Sequence, residues 1–156
     1  MDPKNATHYG TGLAAILFSA QELHKVMTQR EMAERSQREA SEHELAKLRE
    51  ETIKHLKIPV EITPEKVAAF MTRVHQAAEH GEKQVLVLRF PSDLCSDGGR
   101  AINNALAGWE ETLVGVPRQI YDVWAEELKP RGFALRAEVL DYPHGMPGDI
   151  GLFCRW

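Results

Sequence analysis

The apolar positions near the start of the chain recur at helical steps. Leu13, Ile16, Leu17, Ala20, Leu23 and Met27 make one stripe, and Leu45, Leu48 and Leu56, with Thr52 on the same line, make another. Three- and four-residue steps place side chains on one face of an α-helix. No glycine or proline lies between Gly12 and Pro59, and the residues there are mainly Ala, Leu, Glu, Gln, Lys and Arg, which lose little freedom in a helix. The spacing predicts helix throughout this segment. If continuous, its ~45 residues at ~1.5 Å each reach roughly 65–70 Å, too far to lie wholly on one small core. From Arg30 to Glu44 only Met32, Ala33 and Ala40 are apolar. Opposite charges four apart at Glu31/Arg35, Glu34/Arg38 and Arg35/Glu39 add only ~0.2–0.5 kcal/mol per pair. A break near Ser36 to Ser41 is therefore an alternative.

Pro59 ends this helix, and Thr63-Pro64-Glu65 opens another, with Thr63 placed to cap and Pro64 suited to the first helical position. Val67, Phe70, Met71, Val74 and Ala78 form its inward stripe, and Gly81 stops it. Val85 to Phe90 reads as a buried strand bounded by Lys83 and Pro91. Pro117 opens a helix carrying Ile120, Val123, Trp124 and Leu128, closed by Lys129-Pro130-Arg131-Gly132. Phe133, Leu135, Ala137 and Val139 alternate with Ala134, Arg136 and Glu138, and Ile150, Leu152, Cys154 and Trp156 alternate likewise, as in half-buried strands. Tyr142 to Asp149, with two prolines and two glycines, joins these last two strands as a hairpin with a long loop.

The order helix-helix-strand-helix-strand-strand predicts an α+β or small α/β fold. Residues 1–57 are expected to form an extended helical oligomerisation segment, and residues 58–156 a compact domain with a helix-covered sheet of about three strands. Strand order stays open. The first two strands can be neighbours joined by a right-handed crossover, or the third can insert between them and make the sheet antiparallel.

Composition removes several functional classes. A hydrophobic share of 43% is too high for general disorder. A net charge of −4 supplies no positive field for nucleic acid or an anionic membrane, and the basic residues of the long helix are interleaved with acids. Nucleic acid is thus not an expected partner. The apolar run Leu13 to Phe18 is too short to span a bilayer, and Asp2 beside Lys4 is not a basic leader. A cytoplasmic location with reduced thiols follows as the expectation, since Cys95 and Cys154 form no CxxC pair. The seven histidines include no HExxH, and His75 and His80 are five apart, off a common helical face. Neither metal nor cofactor is expected; GxGxxG and GxxxxGK[ST] are both absent.

Chemistry is best sought in Ser92-Asp93-Leu94-Cys95-Ser96-Asp97-Gly98-Gly99-Arg100, which leaves the carboxyl end of a buried strand and enters the short helical stretch from Ala101. Ligands of open α/β sheets bind at such edges. Gly98 and Gly99 would let backbone N–H groups approach a small anionic ligand, with Arg100 adding a bidentate contact and Asp97 beside it. Arg89 is a further helper. Ordinary turn chemistry explains Asp-Gly-Gly equally well. Cys95 with His144 resembles a nucleophile and its base, and Asp97 with Asp149 an acid/base pair, provided the two loops share one sheet edge. The leading expectation is nevertheless a homo-oligomeric interaction or structural protein. Leu13, Ile16, Leu17, Leu23, Met27, Leu45, Leu48 and Leu56 would supply the interface; the anionic-ligand binder or enzyme is the alternative.

Overall fold

The computed structural model describes residues 16–156, so Gly12, Leu13 and the beginning of the first apolar stripe lie outside the described residues. The first helix, α1, runs Ala20–Lys57, 38 residues without interruption across Ser36 to Ser41. It starts later than the glycine- and proline-free stretch suggests because Ser19 and Glu22 close a reciprocal cap. The Ser19 hydroxyl oxygen accepts the Glu22 N–H at 3.1 Å, and Glu22 Oε2 accepts the Ser19 N–H at 2.7 Å. In the polar middle Arg30 pairs with Glu34 at 2.8 Å and Arg35 with Glu39 at 2.9 Å. Of the three expected pairs, only Arg35/Glu39 is among those formed; Glu34 pairs with Arg30 instead of with Arg38.

Contacts along the chain separate a unit ending at Leu45 from a unit spanning Ala46–Trp156. The division falls inside α1, twelve residues before the expected end of the helical segment at residue 57. The reason is that Ile53 and Leu56, from the last turns, pack on the sheet's core. Leu56, expected at an interface between copies, is thus engaged within its own unit.

Within Ala46–Trp156, α2 (Pro64–Glu79) is capped by Thr63, whose hydroxyl oxygen accepts the Lys66 N–H at 3.3 Å. Its buried residue is Val74, flanked by half-buried Phe70, Met71 and Ala77; Ala78 and Val67, expected on the inner stripe, are exposed. Three strands follow: β1 (Gln84–Pro91), β2 (Ala134–Val139) and β3 (Asp149–Arg155). Their order is β1-β3-β2, and β3 is antiparallel to both neighbours. The third strand has therefore inserted between the first two, which run parallel to each other without touching. Three cross-strand rows, Phe90–Ile150–Val139, Leu88–Leu152–Ala137 and Val85–Cys154–Leu135, line the core side. Trp156 lies beyond β3 and is 39% exposed, so the last alternation ends one step earlier than expected.

The crossover between β1 and β2 carries α3 (Arg100–Asn103) and α4 (Val116–Val123). The helix expected from Pro117 to Leu128 changes pitch at Trp124 and finishes as a π-helical turn, Trp124–Leu128, in which Trp124 Nε1 donates to the Phe133 carbonyl at 3.1 Å. Phe90, Leu94, Cys95, Ile102, Leu113, Ile150 and Leu152 form the buried centre. Full burial of one such large side chain is worth about 1.5–3 kcal/mol. Gly115, at φ +67°, lies so close to the Leu56 carbonyl that a Cβ would collide with it. A glycine thus lets the end of α1 lie against the start of α4.

Candidate functional site

Because β3 lies between two parallel strands, the exit of β1, the exit of β2 and the entry to β3 share one edge of the sheet. This brings together the two loops on which the candidate chemistry depends. Asp149, the first residue of β3, is the hub: Oδ1 accepts Arg49 Nη1 at 3.0 Å and Oδ2 accepts Arg89 Nε at 2.7 Å. Arg49 also donates from Nε to Asp93 Oδ2 at 2.8 Å and from Nη2 to the Gly148 carbonyl at 3.2 Å. Arg89 Nη2 lies 3.5 Å from Asp141 Oδ2, while Asp141 Oδ1 accepts the Asp149 N–H at 2.6 Å. The Asp149 carboxylate, hydrogen-bonded to Arg89, holds that guanidinium's pKa above its ordinary value. Two arginines and three aspartates thus tie the β2–β3 loop to β1 and to the last turns of α1.

Asp97 is committed differently. Its Oδ1 accepts the Gly99 N–H at 3.0 Å and its Oδ2 the Ala101 N–H at 2.7 Å. These are the donors an anion would need at the start of α3, and the chain's own carboxylate fills them. The Gly98 N–H donates to the Cys95 carbonyl at 3.0 Å. Gly99 has φ +82°, and a Cβ there would sit 3.0 Å from Ile150 Cδ1 and 3.1 Å from Ser92 Cβ. Turn geometry and packing therefore account for that glycine. The Arg100 side chain, exposed on the otherwise largely buried α3, makes no ion pair among the described residues.

Cys95 is buried, and its backbone bridges to Leu113. Burial pushes its thiol up to about 11, against smaller opposing hydrogen bonds from Thr112 and the Gly99 backbone. At neutral pH it is a protonated thiol, the inert form for attack. His144 stands in the Pro143–Gly145 turn, exposed, at φ 52°. No hydrogen bond joins His144 to Cys95, or Asp97 to Asp149, among the described residues. The arrangement works as a clamp on the loop, with carboxylates satisfied by guanidinium or backbone N–H groups.

Two members of this network, Arg49 and Asp141, carry no motif that marks them, and Asp93 is marked only as part of the segment after β1. Arg49 looks like any charged helix residue, and its partners Asp93 and Asp149 are 44 and 100 residues away. The interface candidates divide as well. Ile16, Leu17, Leu23, Met27, Leu45 and Leu48 are each more than half exposed, whereas Leu56 packs inward. Leu48 lines a cleft of about 410 Å³ with Thr52, His55, Leu88 and Arg89. Among the described residues no group of three or more His, Cys, Asp or Glu side chains could hold a metal ion. Nor is any described helix long and apolar enough to cross a membrane. No protein-family model, curated protein or solved structure matches the chain.

Proposed function

We propose that the protein is a self-associating interaction module, in which the first turns of α1 and the residues just before it pack against the same segment of another copy. One observation carries this reading. Ile16, Leu17, Phe18, Leu23, Val26 and Met27 are 66, 70, 78, 53, 61 and 58% exposed. Large apolar side chains at that density, on a segment with no buried residue of its own, mark association surfaces in folded proteins. Burying each of the six only in part yields about 1 kcal/mol apiece. The gross gain is then about 6 kcal/mol, within the range association itself costs, so additional contacts or a bundle of more than two helices are favoured over an isolated pair. The exposed ion pairs of α1, at about 0.2–1 kcal/mol each, tune such an assembly without driving it. Leu45, 64% exposed, extends the same chemistry along the helix.

Sedimentation equilibrium of the full chain tests the reading, alongside a Leu23→Glu/Met27→Glu variant. The parent is expected at a multiple of 17.6 kDa and the variant at a lower mass with unchanged far-ultraviolet circular dichroism in its sheet domain. A parent that stays at the single-chain mass at every concentration would refute it.

A further inference from the structure

The two edge strands of the sheet are finished differently. β1 is shielded: its register shifts between Leu86 and Leu88, the Leu86 carbonyl accepts Arg73 Nη2 at 2.6 Å, and Pro91 ends the strand. Bulges, prolines and capping side chains are the devices that stop a sheet edge from recruiting another strand. β2 has none of them. Its register runs without irregularity from Ala134 opposite Arg155 to Val139 opposite Ile150.

The direction of its backbone groups follows from one bond. The Leu140 N–H donates across to the Asp149 carbonyl at 2.8 Å. By antiparallel alternation the N–H and C=O groups of Val139, Ala137 and Leu135 then point away from β3. At Phe133, next in the series, both outward groups are used: the N–H donates to the Leu128 carbonyl at 3.3 Å, and the carbonyl accepts Trp124 Nε1. The outward groups of Leu135, Ala137 and Val139 have no hydrogen-bond partner among the described residues. An open groove of about 440 Å³ is lined by residues of this strand together with Asn103, Ala105, Trp109 and Tyr142.

We propose that β2 pairs antiparallel with β2 of a second copy, about a two-fold axis at Ala137, joining two three-stranded sheets. The charge layout favours a second copy over an unrelated peptide. In this register Ala137 exchanges both hydrogen bonds with its own counterpart, and Leu135 does so with Val139 of the second copy. Arg136 then stands directly opposite Glu138 of the second copy, and the reverse pair repeats across the axis. These two side chains now pair with each other along one strand at 3.0 Å and are 58% and 37% exposed, so they are free to turn across. Moving the axis by one residue sets Arg136 against Arg136, or Glu138 against Glu138. Like charges directly opposite on a sheet destabilise it, so one register is selected. This pairing uses other residues than the exposed ones of α1 and does not rest on their association.

The test uses full-length chains carrying Leu23→Glu/Met27→Glu, so that association through α1 does not mask the edge. In that background Glu138→Arg puts two positive charges on β2 and Arg136→Glu two negative ones. Sedimentation velocity is read for the parent, each variant alone and an equimolar mixture, with thermal melts confirming that each is folded. The parent is expected to dimerise, each variant alone to weaken the dimer by about tenfold or more, and the mixture to recover it as a heterodimer. Recovery on mixing is not expected if the substitutions merely damage the fold. A monomeric parent in this background, or a mixture no larger than its components, overturns the inference. The α1 reading is judged separately, by whether Leu23→Glu/Met27→Glu alone lowers the mass of the otherwise unaltered chain.

Discussion

Replacing Arg49 by methionine keeps the aliphatic stem and removes the guanidinium, which isolates the clamp from the packing of α1. Three hydrogen bonds are lost, and they are unequal. The Asp93 arm is an exposed pair, with the carboxylate side chain 56% accessible, and counts for about 0.3 kcal/mol. The Asp149 arm joins a side chain 34% accessible to one 23% accessible and is worth about 1 kcal/mol after screening. The bond to the Gly148 carbonyl adds about 0.7 kcal/mol. The sum is about 2 kcal/mol. Unfolding entropy for the Ala46–Trp156 unit is about 0.23 kcal/mol/K at 2.1 cal/mol/K per residue, so the melting temperature should fall by about 8–9 °C. Differential scanning calorimetry reads this directly. In 1 M NaCl the difference should shrink, because the Asp93 arm faces solvent and is screened. A cycle pairing Arg49→Met with Asp149→Asn should return a coupling of about 1 kcal/mol. A loss under 2 °C, or additive single effects, would show that Arg49 is merely solvated and that the clamp does not hold the loop.

Gly115→Ala should be strongly damaging, costing about 3 kcal/mol or more through its collision with the Leu56 carbonyl. Gly132→Ala, at φ +88° with open space around it, should cost only about 1 kcal/mol; equal melting temperatures for the two would refute that account of the α1–α4 approach. For Cys95 burial makes the folded state hold the thiol proton more tightly, up to about 11 against an ordinary 9.0. Its contribution is therefore complete below pH 9 and is lost as pH rises towards 11, by about 2–3 kcal/mol. Urea unfolding at pH 8 and pH 10 should show this slope in the wild type and a shallower one in Cys95→Ala; identical slopes would contradict it. Thr63→Ala removes the cap of α2 and should lower stability by about 1 kcal/mol in the same assay, whereas no change would mean the cap is dispensable.

The elements themselves were legible because each carries its period plainly: the glycine-free run before Pro59, Thr63-Pro64 before α2, and the alternations around Leu135 and Leu152. Strand order was not legible. β2 and β3 alternate alike in sequence, yet Leu135 and Ala137 are half-buried at an edge while Ile150, Leu152 and Cys154 are fully covered at the centre. The late start of α1 had a readable signal, Ser19-Ala20-Gln21-Glu22, which is a capping box. Leu56 shares the spacing of Leu45 and Leu48, and nothing local says that the helix docks from its last turns onward. A truncation after Lys57 would consequently strip Ile53 and Leu56 from the core. The candidate loop leaves β1 at the sheet edge where the β2–β3 connection lies, a proximity that the sequence left conditional on strand order. What could not be read was the internal satisfaction of its polar groups. Asp97 supplies the charge that Gly99 and Ala101 would otherwise offer to a ligand, and Arg49 reaches Asp149 across 100 positions.

Amide hydrogen exchange of the full chain at two protein concentrations probes the self-association most directly. Amides from Ala20 to Leu45 should be protected in concentrated solution and exchange markedly faster on dilution, while those of Ala46 to Lys57 hold their protection at both. Protection before Leu45 that is the same at both concentrations, or absent at both, would contradict assembly through α1.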